Sequence, residues 1–310
     1  MLSSRSRLRR ALLGAAAVTT AMALTVACSS EDEPEPTPTE AAPTIAATAA
    51  TAEPTPAAPT EPNAVGITAT DFAFNLDGTF AAGSNLITLT NNGQQTHHGQ
   101  LIALSEGKTA DDLAALIAAG ETVLPEWAVY AGGPGAVDPG QSTTLAAELE
   151  AGAYVLLCFI PDVADGVPHV AKGMVTSVDV AAEPVNAVAL PAATVEIAGG
   201  DYLFEAPETV AAGEAVVAFS NDGEEAHEMA VVRLNDGATV EDYLGAITAE
   251  TPTGPPPGVF VGGVQGIVPG ASQSWVVDLE AGSYGLLCFF ANADGVPHFA
   301  LGMVGQLTVE

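Results

Sequence analysis

The feature that most constrains this chain of 310 residues is an internal duplication that keeps its register without a gap. A shift of 130 positions carries Asn91 to Asn221, Gly93 to Gly223, His97 to His227, Leu104 to Leu234, Gly132 to Gly262, Pro139 to Pro269, Tyr154 to Tyr284 and Cys158 to Cys288. One residue is then lost, and a shift of 129 carries His169 to His298 and Met174 to Met303. Solenoids stack three or more short repeats, so two long copies speak for a duplicated domain. The copies span residues 64–181 and 193–310, with a connector at 182–192 punctuated by Pro184 and Pro191.

Each copy alternates apolar and polar side chains in short runs, the period of a strand with one buried face. In the first copy the runs are I-T-A-T-D-F-A-F from Ile67, N-L-I-T-L-T-N from Asn85 and G-Q-L-I-A-L from Gly99. Turn signals at Pro139-Gly140 and Glu150-Ala151-Gly152 bracket S-T-T-L-A-A-E-L, after which A-Y-V-L-L-C-F-I and Met174 to Val180 supply further strands. One helix interrupts the pattern. Thr109 and Asp112 form an N-terminal capping pair ahead of Leu113, Leu116 and Ile117, and Thr239 and Asp242 repeat it. Six or seven strands with one short helix insertion predict an all-β chain of two tandem Greek-key antiparallel β-sandwich domains.

Residues 1–28 read as an export signal: Arg5, Arg7, Arg9 and Arg10 precede the apolar run Ala11 to Ala27, which ends in small residues before Cys28. The run lies near the lower limit of ~17 to 25 residues for a membrane span, and an acidic, Pro-rich stretch follows it at once. L-T-V-A-C resembles a bacterial lipobox, which makes Cys28 the expected lipidation site and the cell surface or periplasm the expected location. The Arg9-Arg10 pair is also compatible with twin-arginine export. Residues 29–63, rich in Pro, Thr, Ala and Glu, carry too little apolar bulk to fold and read as a disordered tether. Beyond the leader only Lys108, Lys172 and Arg233 oppose 38 acidic residues. Such a surface excludes nucleic acid and leaves the lipid anchor as the only route to a membrane, while it suits a basic protein partner.

Cys158 and Cys288 are the two cysteines beyond the leader and occupy matched places. A disulfide between them is not expected, because a bridge needs Cα atoms within ~7 Å and equivalent positions of tandem domains usually lie farther apart. Each cysteine instead shares its copy with two histidines and a methionine at matched positions. Thiolate, imidazole and thioether are the soft and borderline donors that copper prefers, and two His, one Cys and a weak axial Met make an electron-transfer site.

Both copies resemble the cupredoxin family, which includes plastocyanin and amicyanin. The likeness rests on N-x-G-x-x-x-H, on Y-x-x-x-C at a strand end, and on the G-M-V-G-Q-L-T-V segment from Gly302 to Val309. Carried over, it implies ligands His97, Cys158, His169 and Met174 in the first copy and His227, Cys288, His298 and Met303 in the second, with one type 1 copper each. The sequence departs from the family in one respect. Ten residues separate Cys158 from His169 and nine separate Cys288 from His298, where the family has two to four. The Asp-Gly turn chemistry of P-D-V-A-D-G-V-P suits a small excursion that returns the histidine.

His98, whose counterpart is Glu228, is expected to be exposed, with a backup ligand role open to it. Met229, on the same strand face as His227, is expected to pack. The leading expectation is an exported copper-binding electron carrier that hands electrons to a redox partner. Two alternatives remain. A copper oxidoreductase would need further histidines at the domain boundary, yet Phe159 and Phe289 follow the cysteines; a metal-free binding or scaffold module could use the same fold.

Overall fold

In the strand Asn63–Thr70 (β1) Val65, Ile67 and Ala69 are buried while their neighbours are partly exposed. This is the period of two that half-buried strands impose. The computed structural model describes residues 61–121, 123–182, 188–249, 251 and 253–310. The export signal, Cys28, the tether up to residue 60 and Pro184 lie outside the described residues.

The first copy continues with Ala73–Asp77 (β2), Gly83–Asn91 (β3), Gln100–Leu104 (β4), helix Ala110–Ala118 (α1), Ala128–Tyr130 (β5), Pro134–Val137 (β6), Ser142–Leu149 (β7), Gly152–Leu157 (β8) and Val175–Val180 (β9). The second repeats this order with Val195–Gly200 (β10), Leu203–Glu205 (β11), Thr209–Val210 (β12), Gly213–Asn221 (β13), His227–Leu234 (β14), helix Val240–Ile247 (α2), Gly258–Ile267 (β15), Ser272–Leu279 (β16), Gly282–Leu287 (β17), helix His298–Leu301 (α3) and Val304–Val309 (β18). The described chain is therefore mostly β, as expected. None of its helices is long and apolar enough to cross a membrane.

Both helix caps form as the sequence implies. The Thr109 hydroxyl accepts from Asp112 N–H at 3.2 Å while the Asp112 carboxylate accepts from Thr109 N–H at 2.9 Å, and Thr239 and Asp242 match them. The α1 residue Leu113 is fully buried against Ile102, Val155 and Leu157, covering the face of β4 and β8 turned away from the main core. Burying a leucine so completely contributes about 1.5–3 kcal/mol.

The strands do not all pair antiparallel. β1 lies between β2 and β3, antiparallel to the first and parallel to the second, and β10 with β13 repeats the parallel pair. The cause is the path of the chain: β2 turns back along one edge of β1, so the next strand, arriving at the other edge, must run with β1.

The two copies share hydrogen bonds. β7 pairs with β16 at Leu145↔Trp275, which joins four strands of each copy into one eight-stranded sheet. β6 pairs with β15, and there a Cβ on Gly135 would lie 2.5 Å from the Gly262 backbone, so the chains approach more closely than any other residue permits. Gln100 Nε2 donates across the join to Gly266 O at 3.0 Å, as well as to Leu101 O and Gly132 O. One hydrophobic core, including Ile67, Leu89, Leu156, Phe219, Trp275 and Leu286, runs through both copies.

Candidate metal centres

Asn91, at the end of β3, is fully buried and folds the segment that delivers His97. Its Nδ2 donates to Gln95 O and Val137 O, and its Oδ1 accepts from Gly93 N–H. The Gly is obligatory: a Cβ at Gly93 would meet Asp71 Oδ1 at 2.5 Å and His97 Nε2 at 2.7 Å. Asn221 and Gly223 do the same for His227.

The long loop after each cysteine closes on itself. Pro161 and Pro168 bridge its base, Asp162 N–H donates to Val167 O, and His169 N–H returns to Ile160 O at 2.9 Å. A short 3₁₀ turn, His169–Lys172, follows Pro168 and ends at Gly173, whose φ of 105° only glycine adopts readily. Met174 N–H then bonds His169 O at 3.0 Å. In the second copy Ala291 bridges Pro297, His298 N–H bonds Phe290 O at 2.7 Å, and Gly302 ends α3 before Met303. The extra residues therefore project as a hairpin and leave the histidine beside its cysteine.

The donor atoms converge. His97 Nδ1 and His169 Nδ1 are 3.1 Å apart, and Cys158 Sγ is 3.5 Å from His169 Nδ1. In the second copy His227 Nδ1 and His298 Nδ1 are again 3.1 Å apart, with Cys288 Sγ at 4.0 and 3.5 Å from them. Within each trio all three donor atoms lie within 4.8 Å of one another, and all six residues are buried. Met174 is fully buried in a cluster with Cys158 and Ala69, and Met303 is fully buried.

The ring protons point outward. His97 Nε2 lies 3.0 Å from Asp71 Oδ1 and His227 Nε2 lies 3.0 Å from Asp201 Oδ1. A carboxylate only accepts, so each Nε2 carries the proton and each Nδ1 faces inward as a lone pair. His169 Nε2 faces Gln95 Oε1 at 3.4 Å, an oxygen identified as such because Val163 N–H also donates to it. His298 Nε2 is 2.9 Å from Glu225 Oε2, at ion-pair distance but without the alignment of a regular hydrogen bond. Two imidazole lone pairs facing each other at 3.1 Å beside a sulfur form a donor set for a soft cation, and copper fits it.

The chain is similar to several solved structures. An auracyanin from Roseiflexus castenholzii is 22% identical over 38% of this chain and 98% of its own, with a TM-score of 0.27. Auracyanin A from Chloroflexus aurantiacus, a "blue" copper protein, is 17% identical over 37% of this chain and 97% of its own, with a TM-score of 0.26. A multicopper oxidase is 17% identical over 80% of this chain and 88% of its own, with a TM-score of 0.23. No protein-family profile and no curated sequence matches the chain. At such TM-scores the likenesses decide nothing about function, and the donor geometry has to.

Burial shapes the chemistry of the donors. It pushes the Cys158 thiol up to about 12 and raises the Cys288 thiol as well, so without metal both stay protonated and a cation must displace the proton. Burial also lowers His97, against the opposing pull of Asp71, and lowers His169 and His298, which keeps these rings neutral and able to donate. Burial works against the Asp71 carboxylate too, but hydrogen bonds from Gln94 N–H, His97 and Gln95 N–H outweigh it and hold it below the ordinary carboxylate range.

The positioning residues Asp71 and Asp201 escaped sequence reasoning, although the 130-residue shift carries T-D-F-A-F onto G-D-Y-L-F and preserves the Asp. Their turns are strained: Phe72 and Tyr202 adopt φ of 67° and 65°. That conformation lets adjacent side chains grip both histidines, since the Phe72 ring meets His169 edge-on at 5.2 Å and Tyr202 meets His298 at 5.1 Å.

His98 is a correction. It is only 7% exposed, and its Nε2 accepts from Phe159 N–H at 2.7 Å, so this nitrogen serves the backbone beside Cys158. Glu228 Oε1 accepts from Phe289 N–H at 2.9 Å in the matching place. The expectation of exposure failed because the second copy covers this face: Gln265 of β15 interacts with both His98 and Glu228. Met229 packs in the core, and Cys158 and Cys288 are free thiols, both as expected.

Proposed function

We propose that the chain is an exported electron-transfer protein that binds one copper in each of two cupredoxin-like domains, 64–181 and 193–310. The convergence of two inward Nδ1 lone pairs and one buried sulfur, made twice, supports this reading above all else. His97, Cys158 and His169 would hold one ion with Met174 as the axial group, and His227, Cys288 and His298 the other with Met303. Copper bound there supplies a one-electron couple. The protein's part is to keep the donors in place while the charge changes: Asp71, Asp201 and the closed loops fix the rings, and burial excludes water. The acidic surface suits a basic redox partner, and a lipid on Cys28 with the 29–63 tether would hold the carrier at a membrane.

The purified chain loaded with Cu(II) is expected to show intense thiolate-to-copper visible absorption. Cys158→Ser and Cys288→Ser should each remove part of the band and of the bound copper, and the double variant all of it. A colourless product that retains no copper would leave the metal-free module as the better reading.

A further inference from the structure

The two centres share their donors but not their surroundings. Residues 91–98 read N-N-G-Q-Q-T-H-H, without a carboxylate, whereas residues 221–228 read N-D-G-E-E-A-H-E, with Asp222, Glu224, Glu225 and Glu228. Two of these substitutions touch the donor framework directly. Gln95 Oε1 faces His169 Nε2 where Glu225 Oε2 faces His298 Nε2, and His98 takes the N–H of Phe159 where Glu228 takes that of Phe289.

Other charges nearby do not cancel this difference. Asp71 and Asp201 are equivalent. In the first loop Lys172 pairs with both Asp162 and Asp165, leaving one net negative charge; in the second Asn292 and Leu301 stand in their places and Asp294 leaves one. Asp138, on the Thr96 hydroxyl, has Val268 as its counterpart and is a carboxylate that the first copy sets against them.

Reduction lowers the charge of a centre by one, so an added carboxylate such as Glu225 against His298 favours the oxidised state. The two shells also meet: Gln265 interacts with His98 on one side and Glu228 on the other, and those residues bond the backbone N–H that follows each cysteine. A path thus runs from Cys158 through the half-buried Phe159, the buried His98, Gln265 and Glu228, and the half-buried Phe289 to Cys288.

We infer that the two centres form an ordered pair, in which an electron entering at the Cys288 centre passes to the Cys158 centre along the His98, Gln265 and Glu228 contact. This rests on the copper reading above. The balance is one electron: the Cys288 centre is oxidised from Cu(I) to Cu(II) as the Cys158 centre is reduced from Cu(II) to Cu(I), and no proton or bond is exchanged.

The test uses the copper-loaded full chain, with Cys158→Ser and Cys288→Ser supplying the visible and paramagnetic resonance spectrum of each centre alone. Poised at an electrode to hold one electron per chain, the protein should carry it on the Cys158 centre at least about tenfold more often, a separation of about 59 mV for a one-electron couple. Exchanging Gln95→Glu together with Glu225→Gln should narrow or invert that preference. Equal occupancy, or preference for the Cys288 centre, overturns the ordering. Gln265→Leu, which removes the side-chain amide that interacts with both His98 and Glu228, should slow redistribution of a pulsed electron at least about tenfold at unchanged copper content; an unchanged rate overturns the route. If neither centre takes up copper, it is the parent reading that fails.

Discussion

Asp71→Ala is the most direct test of how the first centre is held. Asp71 Oδ1 accepts from Gln94 N–H at 2.9 Å, from Gln95 N–H at 3.3 Å and from His97 Nε2 at 3.0 Å, so one atom fixes both the loop carrying His97 and the tautomer of its ring. Without it the proton is free to move to Nδ1, the atom that faces His169 and Cys158. Loss of such an outer carboxylate costs about 10- to 100-fold in metal affinity, which is about 1.4–2.7 kcal/mol. Asp71→Asn keeps an oxygen for the backbone donors and should fall at the lower end of that range. The assay is competition for Cu(II) against a chelator in a Cys288→Ser background, read from the thiolate band. Urea midpoints of the metal-free variants separate lost affinity from unfolding. Asp201→Ala in a Cys158→Ser background should give the same loss, because its contact with His227 is the same 3.0 Å. Unchanged affinity in a folded Asp71→Ala protein would refute the claim that the outer carboxylate sets the donor.

The buried pair at the join makes a prediction about pH. Burial lowers His98 from 6.5 to about 3 and raises Glu228 from 4.5 to about 7. Below pH 6.5 the unfolded chain takes up a proton that folded His98 refuses, so its contribution is lost as pH falls; above pH 4.5 the unfolded chain releases one that folded Glu228 keeps, so stability is lost as pH rises towards 7. Relative to the parent, His98→Gln should make urea midpoints fall more steeply with rising pH between 4.5 and 6.5, and Glu228→Gln should make them rise; three equal slopes would contradict the assignment. Gly93→Ala, with its Cβ 2.7 Å from His97 Nε2, should cost about 1–3 kcal/mol of stability and weaken copper binding in the first copy but not the second, as measured by copper retention in each single-cysteine background. Gln100→Leu strips the donor from three buried carbonyls, one of them Gly266 O across the join, and should lower stability by about 1–3 kcal/mol in urea titrations while both visible bands persist.

What could be read along the chain was whatever depends on near neighbours or on comparing the chain with itself. The two-residue period marked β1, β3 and β7, the Thr-x-x-Asp pairs marked both helices, and the 130-residue shift singled out the donors because duplication carried them together. The return of His169 to Cys158 across ten residues was open, since Asp-Gly chemistry allows a turn without saying where its ends meet; the closure depends on Pro161 facing Pro168 and on His169 N–H reaching Ile160 O.

Other features existed only once distant segments had packed. Asp71 reaches His97 from the turn between β1 and β2, 26 positions away, and no local pattern connects a carboxylate in that turn to an imidazole in a distant segment. His98 looked exposed because its burial is supplied by Gln265, a residue of the other copy whose own counterpart is Gly135. The sequence by itself determined the donor set, the strand period and the duplication, all of which are repeated in order along the chain. Tertiary structure alone decided that two of the three sheets run through the join and that the surroundings of the two centres touch, because strand pairing and side-chain burial depend on distances through space that positions along a chain do not encode.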